Sequence, residues 1–391
     1  MSGTAPPELI WPSSLLLPDP PKLVYFDMFV WRGLAEAASG RKSHPGFLQL
    51  LDECRKAVAR RAAFFPVSET FVIETNKYGS EVGRRETARV VAEIGKLRSL
   101  ASIRAVRRLE LQSALTILVG APQVELGPYL LLGRTLLHSF QQEMVMPLWD
   151  GATQANMNQS TDVWTEATAR EVSHQGGLLE FQMALLCTGN PSGALTKQSE
   201  VSLAREKHIA HLLGGENPRR TGSRLRDVLL ATELGHGMSG ADLEEGFENH
   251  GILLGDDSQL DRAQMTNIVR SMPSFEVSSE MRTRYQGKST MKLKQNHVHD
   301  VQALSLTLPY CDAIYVDRAV RGDVKQARLD RRMGTRLLEA PESAAEYIAG
   351  LPGMRGDGTW RTSGPDTALT AADLAGAPGL QYYYELWEDG A

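Results

Sequence analysis

The sequence predicts an α/β fold, a central parallel sheet flanked by helices and interrupted by a large, mainly helical insertion. Three observations carry this. Short apolar runs, Leu23-Val24-Tyr25-Phe26 and Ala313-Ile314-Tyr315-Val316, stand near opposite ends of the chain and read as buried strands. Stretches with apolar residues at helical spacing follow each of them. Strands that alternate with helices pair in parallel through helical crossovers, which covers the sheet on its faces.

The elements follow in order. Pro6, Pro7, Pro12, Pro18, Pro20 and Pro21 make residues 1–22 an irregular arm whose Ile10 and Trp11 can pack on the body. A strand over 23–26 comes next, then helices over 31–38 and 46–64. Pro66 opens a further helical unit, on which Val67, Phe71, Glu74 and Tyr78 share a stripe. The helix expected over 81–97 places Val90, Ile94 and Leu97 on one face. That over 102–119 aligns Ile103, Val106, Glu110, Ala114 and Ile117. Residues 23–119 thus form the first half of the α/β domain. Residues 120–290 form the insertion, with helical patterns near 130–143, 161–186 and 200–213 separated by glycine-rich breaks. The second half, 291–351, has a helix over 299–308 stopped by Pro309, a strand over 313–316, a helix over 323–333, a short strand over 335–338 and a helix over 343–351. Residues 352–391 are an acidic extension ending in Tyr382-Tyr383-Tyr384-Glu385-Leu386-Trp387-Glu388-Asp389, expected to fold back or to meet a partner.

Composition excludes several classes. With 42% hydrophobic and 23% charged residues in 391, the chain can bury a large core and is not a disordered polyelectrolyte. The net charge of −5 conceals an asymmetry: 13 Lys/Arg face 5 Asp/Glu between Arg55 and Arg108, whereas 2 bases face 9 acids from Glu339 onward. That split fits a polyanion-binding face and an acidic tail, and equally a solvated helix surface. Cys54, Cys187 and Cys311 form no CxxC pair and no disulfide framework, so a reducing, cytoplasmic setting is expected. The start of the chain lacks a basic, signal-like segment, and no run is long enough to span a membrane.

Chemistry is expected where acids interrupt apolar elements, because a buried carboxylate is costly unless paired or bound to metal. Asp27 closes the first strand, and nothing else there calls for an acid; the alternative is a cap for the following helix. Asp317 closes the strand over 313–316, with a turn residue as its alternative. Asp300 stands at the expected helix start, where the macrodipole favours an acid anyway. Glu74 interrupts an apolar stripe, although such a side chain can lean into water. Glu110 does the same on a broader apolar arc. Asp312 begins the strand that Asp317 ends, which points it toward the opposite edge. Ligands of parallel sheets collect at the carboxyl ends of the strands, where Asp27 and Asp317 fall together. Crowded acids raise one another's pKa unless a cation intervenes, and hard cations prefer such oxygen ligands. A divalent-cation site is therefore expected.

The series Val24-Tyr25-Phe26-Asp27, Pro66-Val67-Ser68 leading to Glu74, His299-Asp300, and Leu308-Pro309-Tyr310-Cys311-Asp312-Ala313-Ile314-Tyr315-Val316-Asp317-Arg318 resembles the PIN-domain superfamily. The resemblance covers about 23–119 and 291–351, and lies in the order and spacing of short motifs. It implies that Asp27, Glu74, Asp300 and Asp317 are the catalytic and metal-holding acids. It also implies Mg²⁺- or Mn²⁺-dependent phosphodiester hydrolysis, endonucleolytic and on RNA, with an inhibitor protein and a homo-oligomer among the expected partners. Three departures stand out. Met28-Phe29 replaces the usual small hydroxyl and amide residues, the insertion is long, and the tail has no counterpart.

Supporting roles are expected for Glu110, Asp312, His299 and Asn296, and phosphate contacts for Arg84, Arg85, Arg104, Arg107, Arg108, Lys292 and Lys294. The His297-Val298-His299 pair lacks the further histidines a zinc hydrolase needs. Asp27-Met28-Phe29 lacks the second acid of an aspartyl-phosphate enzyme, and no phosphate-binding glycine loop or DNA-reading module is found. A binding or regulatory protein on the same scaffold is the competing expectation.

Overall fold

Proline sets where the first strand begins. Pro21 precedes β1 (Lys22–Phe26), whose residues after Lys22 are all buried. In the computed structural model, residues 21–41, 44–77, 80–118, 262–287 and 295–353 are described, with positions 131–133, 136, 139, 186 and 203–204. β1 lies inside a four-stranded parallel sheet, beside β2 (Ala63–Phe64) and β5 (Ala313–Tyr315), with β6 (Arg336–Leu337) beyond β5. The register sets Lys22 against Ala63, and Val24, Tyr25 and Phe26 against Ala313, Ile314 and Tyr315. A small antiparallel pair, β3 (Ser99–Leu100) with β4 (Leu132–Gly133), joins the chain after β2 through a parallel bridge between Val67 and Ser99. The expected α/β architecture with a parallel sheet and flanking helices is therefore present.

Each face of the sheet carries its own core. Val24, Phe26 and Tyr315 point to one face and pack with Trp31, Leu34, Leu51, Phe71, Val91 and Ile348. These come from α1 (Met28–Ala38), α2 (Pro45–Ala59), α3 (Glu69–Lys77), α4 (Glu81–Ile94) and the last helix of the domain. Leu23, Tyr25, Ile314 and Val316 point to the other face. There they meet α5 (Ile103–Leu118), α7 (Pro273–Gly287), which follows α6 (Arg262–Arg270), and α8 (Gln295–Tyr310). The alternation follows directly from the two-residue period of a strand buried on both faces. Trp31 anchors the first core, its ring 5.7 Å from Phe26 and 5.9 Å from Phe71. α2 packs closely on α11 (Pro341–Ala349), and Gly46 allows it: a Cβ there would meet the Glu342 side chain at 2.2 Å.

Several expected boundaries shift. The helix read over 46–64 stops at Ala59, where Arg61 adopts a left-handed backbone and turns the chain into β2. The helix read over 81–97 stops at Ile94, and Lys96 and Leu97 are left-handed. Left-handed Arg328 divides the region read as one helix over 323–333 into α9 (Arg318–Ala327) and α10 (Leu329–Met333). Pro309 does not stop α8 early but sits in its last turn. α1 starts three residues sooner than read because Asp27 caps it. Asp300 belongs to the second turn of α8, not to its start. Val67 lies outside α3, in the bridge to Ser99. The arm, most of the insertion with Cys187, and the acidic tail lie outside the described residues. Cys54 and Cys311 are free and buried. Among the described residues no helix is long and apolar enough to cross a membrane.

Candidate metal centre

Two of the four acids are placed by strand ends. Asp27 follows β1, and its backbone N–H donates to the Tyr315 carbonyl at 3.0 Å, tying it to β5. Its Oδ1 accepts from the Met28 N–H at 2.8 Å and caps α1. Asp317 follows β5 after Val316, and its Oδ1 accepts from Ala319 and Val320 at 2.7 and 2.9 Å, capping α9. Because β1 and β5 are adjacent and parallel, both acids stand at the same carboxyl edge. The capping alternative expected for Asp27 is present, and Asp317, expected alternatively as a turn residue, is a helix cap as well.

Helices supply the other two. α3 packs against both α1 and α8, which brings Glu74 toward the edge. Glu74 Oε1 lies 3.5 Å from Nδ1 of His299, itself 3% exposed on α8. Asp300 is the next residue along α8.

The electrostatics link all four. Burial pushes the Asp27 carboxyl up from 3.8 to about 7, Glu74 adds to the rise, and Asp317 contributes less. Burial likewise pushes Asp300 from 3.8 to about 8, with Asp27, Glu74 and Asp317 all repelling its charged form. Neighbouring like charges disfavour one another's ionised form and so shift both carboxyls in this direction. Two phenols that the sequence reading passed over lie in the same field. Tyr25 resists ionisation through burial and then Asp27, with a smaller contribution from Glu74. Tyr285 does so through burial and then Asp300, Asp323 and Asp317. Tyr25 was hidden because a tyrosine in an apolar strand looks like core, and its hydroxyl does bond Ser68 Oγ at 3.1 Å.

The donors are all carboxylate oxygens, the chemistry a hard divalent cation takes. Among the described residues, however, no three His, Cys, Asp or Glu side chains gather tightly enough to hold an ion directly. One oxygen each of Asp27 and Asp317 is committed to a helix cap, and Glu74 leans on His299. Mg²⁺ commonly retains several waters, so a hydrated ion does not need every acid in direct contact. The donor set fits such an ion.

The remaining candidates separate. Asp312 is at the opposite, amino edge, where it accepts from Lys22 Nζ at 2.9 Å and from the Leu23 N–H at 2.8 Å. It cannot support the site from there. Asp312→Asn is expected to lower stability by about 1 kcal/mol or less, the scale of a half-exposed ion pair, and to leave cation binding unchanged in a titration. Glu110 is also elsewhere: 1% exposed, it accepts from Ser274 N–H at 2.9 Å, from Ser274 Oγ at 2.5 Å and from the Tyr310 hydroxyl. It fastens α5 to α7 and α8. Burial raises it to about 6, against the opposing pull of Ser274, Tyr310 and Arg107. Arg107 is buried with its guanidinium 4.5 Å over the Phe275 ring, so it is core and no phosphate contact. Arg85 is exposed and paired with Glu81 at 2.7 Å. Arg84, Arg104 and Arg108 are half-buried, and Asn296 is exposed in the first turn of α8. Lys292, Lys294 and Tyr78 lie outside the described residues.

No protein-family model matches this chain, and neither does any curated protein or solved structure.

Proposed function

We propose that the chain is a PIN-like, Mg²⁺- or Mn²⁺-dependent nuclease that hydrolyses phosphodiester bonds, with RNA as its first-choice substrate. The observation that carries this reading is that Asp27 and Asp317 close two adjacent parallel strands at one sheet edge, where burial and neighbouring charges, Glu74 among them, raise the carboxyls of Asp27 and Asp300. Acids that raise one another's pKa at a sheet edge bind a cation or remain partly protonated. A bound Mg²⁺ or Mn²⁺ would activate water and neutralise charge building on the phosphorus. The chain's own residues fix the acids. The Asp27 backbone is locked to β5, Asp317 is locked by its cap, and His299 steadies Glu74. The preference for RNA comes from the resemblance alone, since carboxylates do not read a 2′-hydroxyl.

A cation-binding dependence on pH follows, and its sign is fixed. Asp27 and Asp300 titrate near 7 and 8 when folded, against an ordinary 3.8. The folded protein therefore holds protons that the unfolded chain has released. The stability this provides is complete below about pH 4 and is lost as pH rises through 7 to 8. In the metal-free protein, Asp300→Asn is thus expected to raise stability at pH 8, on the order of 1 kcal/mol, or several degrees of melting temperature. Mn²⁺ stabilises the wild type more at pH 8 than at pH 5, because protons and cation compete. Thermal melts at both pH values, with and without Mn²⁺, check this; a Mn²⁺ shift equal at pH 5 and pH 8 would count against a carboxylate site.

A second reading, a PIN-like scaffold that binds a partner without hydrolysis, is favoured by the absence, among the described residues, of three tightly gathered ligands. It predicts no Mn²⁺ shift at either pH.

A further inference from the structure

The helix that carries Glu74 is gripped at two points, and both grips come from residues that flank Asp27. The first grip is at Ser68, the N-cap of α3. Its carbonyl accepts from the Val72 N–H at 3.3 Å, and its Oγ accepts from the Phe71 N–H at 3.3 Å. The same Oγ bonds the Tyr25 hydroxyl at 3.1 Å and Thr70 Oγ1 at 2.8 Å. A hydroxyl has one proton to give and two lone pairs to receive with, so Ser68 is saturated. Tyr25, Ser68 and Thr70 are all buried, which keeps water from replacing these bonds. Tyr25 lies two residues before Asp27 on β1, so the start of α3 is tied to the strand that leads into that acid. Burial, Asp27 and Glu74 all oppose ionisation of the Tyr25 phenol, which stands in the field of both acids.

The second grip lies just beyond Glu74. The hydroxyl of Thr75, a fully buried residue, reaches the Phe71 carbonyl at 2.8 Å and the Met28 sulfur at 3.5 Å. A thioether is a weak acceptor, so this grip is the lighter of the two. Met28 is also the residue whose N–H donates to Asp27 Oδ1 at 2.8 Å. One residue thus touches the Asp27 carboxylate through its backbone and the neighbour of Glu74 through its side chain. The grips come from opposite faces of the sheet, since Tyr25 belongs to one core and Met28 packs on the other. A hydrogen-bonded helix is stiff over so short a span, so holding Ser68 and Thr75 fixes the Glu74 backbone between them.

We infer that Tyr25 and Met28 are positioning residues that clamp α3 and so set how far Glu74 stands from Asp27 when the pair holds a cation. The inference rests on the metal centre of the nuclease reading and deepens it. Neither side chain is a ligand; each acts through Glu74, which His299 supports from α8. Ligands fixed in advance bind more tightly, because less freedom is lost when the ion arrives.

The test measures Mn²⁺ uptake by the full chain at pH 8 by electron paramagnetic resonance, with Mn²⁺ alone as the probe. Tyr25→Phe removes one oxygen and keeps the ring; Met28→Leu removes the sulfur and keeps the bulk. The pair together is expected to weaken Mn²⁺ binding about ten-fold, most of it from Tyr25→Phe. Ser68→Ala cuts the first grip from its other end, so it should match Tyr25→Phe and add nothing to it. Asp312→Asn, which removes the bonds to Lys22 and Leu23 at the opposite edge, is the control for lost stability and leaves uptake unchanged. In a Glu74→Gln background, with Mn²⁺ raised to restore occupancy, the pair should change affinity by less than about two-fold. Wild-type affinity in the Tyr25→Phe/Met28→Leu protein, with only its melting temperature lowered, overturns the inference. So does a full ten-fold loss in the Glu74→Gln background. In either case Mn²⁺ uptake that still depends on Asp27 leaves the nuclease reading standing; a wild type that takes up no Mn²⁺ sinks both. Melting curves confirm that each variant is folded at the temperature of measurement.

Discussion

On the nuclease reading, Asp27→Asn is expected to lower Mn²⁺-dependent phosphodiester cleavage by about a thousand-fold or more. The size follows from what the charge does. Stabilising the charge that builds on phosphorus is worth several kcal/mol, and each ~1.4 kcal/mol is ten-fold in rate. The substitution isolates that contribution, because Asn caps a helix about as well as Asp. The bond from the Met28 N–H to the Asp27 side chain can therefore persist, as can the backbone bond to Tyr315. Removing one of four repelling charges should leave the metal-free fold no weaker, and slightly stronger at pH 8. Loss of cleavage with an unchanged or raised melting temperature is the expected pair of results, read by a gel-based cleavage assay and a thermal melt. Cleavage within about three-fold of the wild type would remove Asp27 from the chemistry.

Glu110→Ala produces the opposite pattern: a loss of about 3–5 kcal/mol in stability, with cation affinity retained by the molecules that remain folded. Glu110 is buried among α5, α7 and α8, and three donors converge on it: the Ser274 N–H, the Ser274 hydroxyl and the Tyr310 hydroxyl. Truncation leaves all three without an acceptor in a space closed to water, each at about 1–3 kcal/mol if unrelieved. Arg107 also loses a favourable charge interaction with Glu110. Glu110→Gln keeps an acceptor and the volume, so it should cost much less. Urea unfolding of the two variants measures this. A Glu110→Ala protein as stable as wild type but unable to bind Mn²⁺ would move Glu110 into the metal centre.

The parts of the molecule legible in the sequence were those with a strong local signal. β1 and β5 are apolar runs bounded by proline or acid, and their closing acids follow from strand ends meeting at one edge. β2, β3 and β4 each span two residues, too few for a period to register, whereas β6 falls inside the strand read over 335–338. The overrun helices have one physical cause. Arg61 and Arg328 take up left-handed backbone where a glycine would have marked the stop, and Lys96 and Leu97 do so just after Gly95, the right-handed cap of α4. An L-residue there costs roughly 1–2 kcal/mol, met by tertiary contacts that no local pattern records. One such contact is the Arg60 guanidinium on the Ile348 carbonyl at 2.5 Å. Glu110 and Glu74 looked alike in sequence, each an acid on an apolar stripe. Only the partners brought by α7 and α8 separate a fastened acid from one at the cleft.

Direct Mn²⁺ binding at pH 8, followed by calorimetry or electron paramagnetic resonance on wild type and on Asp27→Asn/Asp300→Asn, tests the shared-cation claim most closely. Saturable uptake by the wild type that disappears in the double variant, with both proteins folded, is the predicted result. Equal uptake by the two proteins, or none by the wild type, would contradict it.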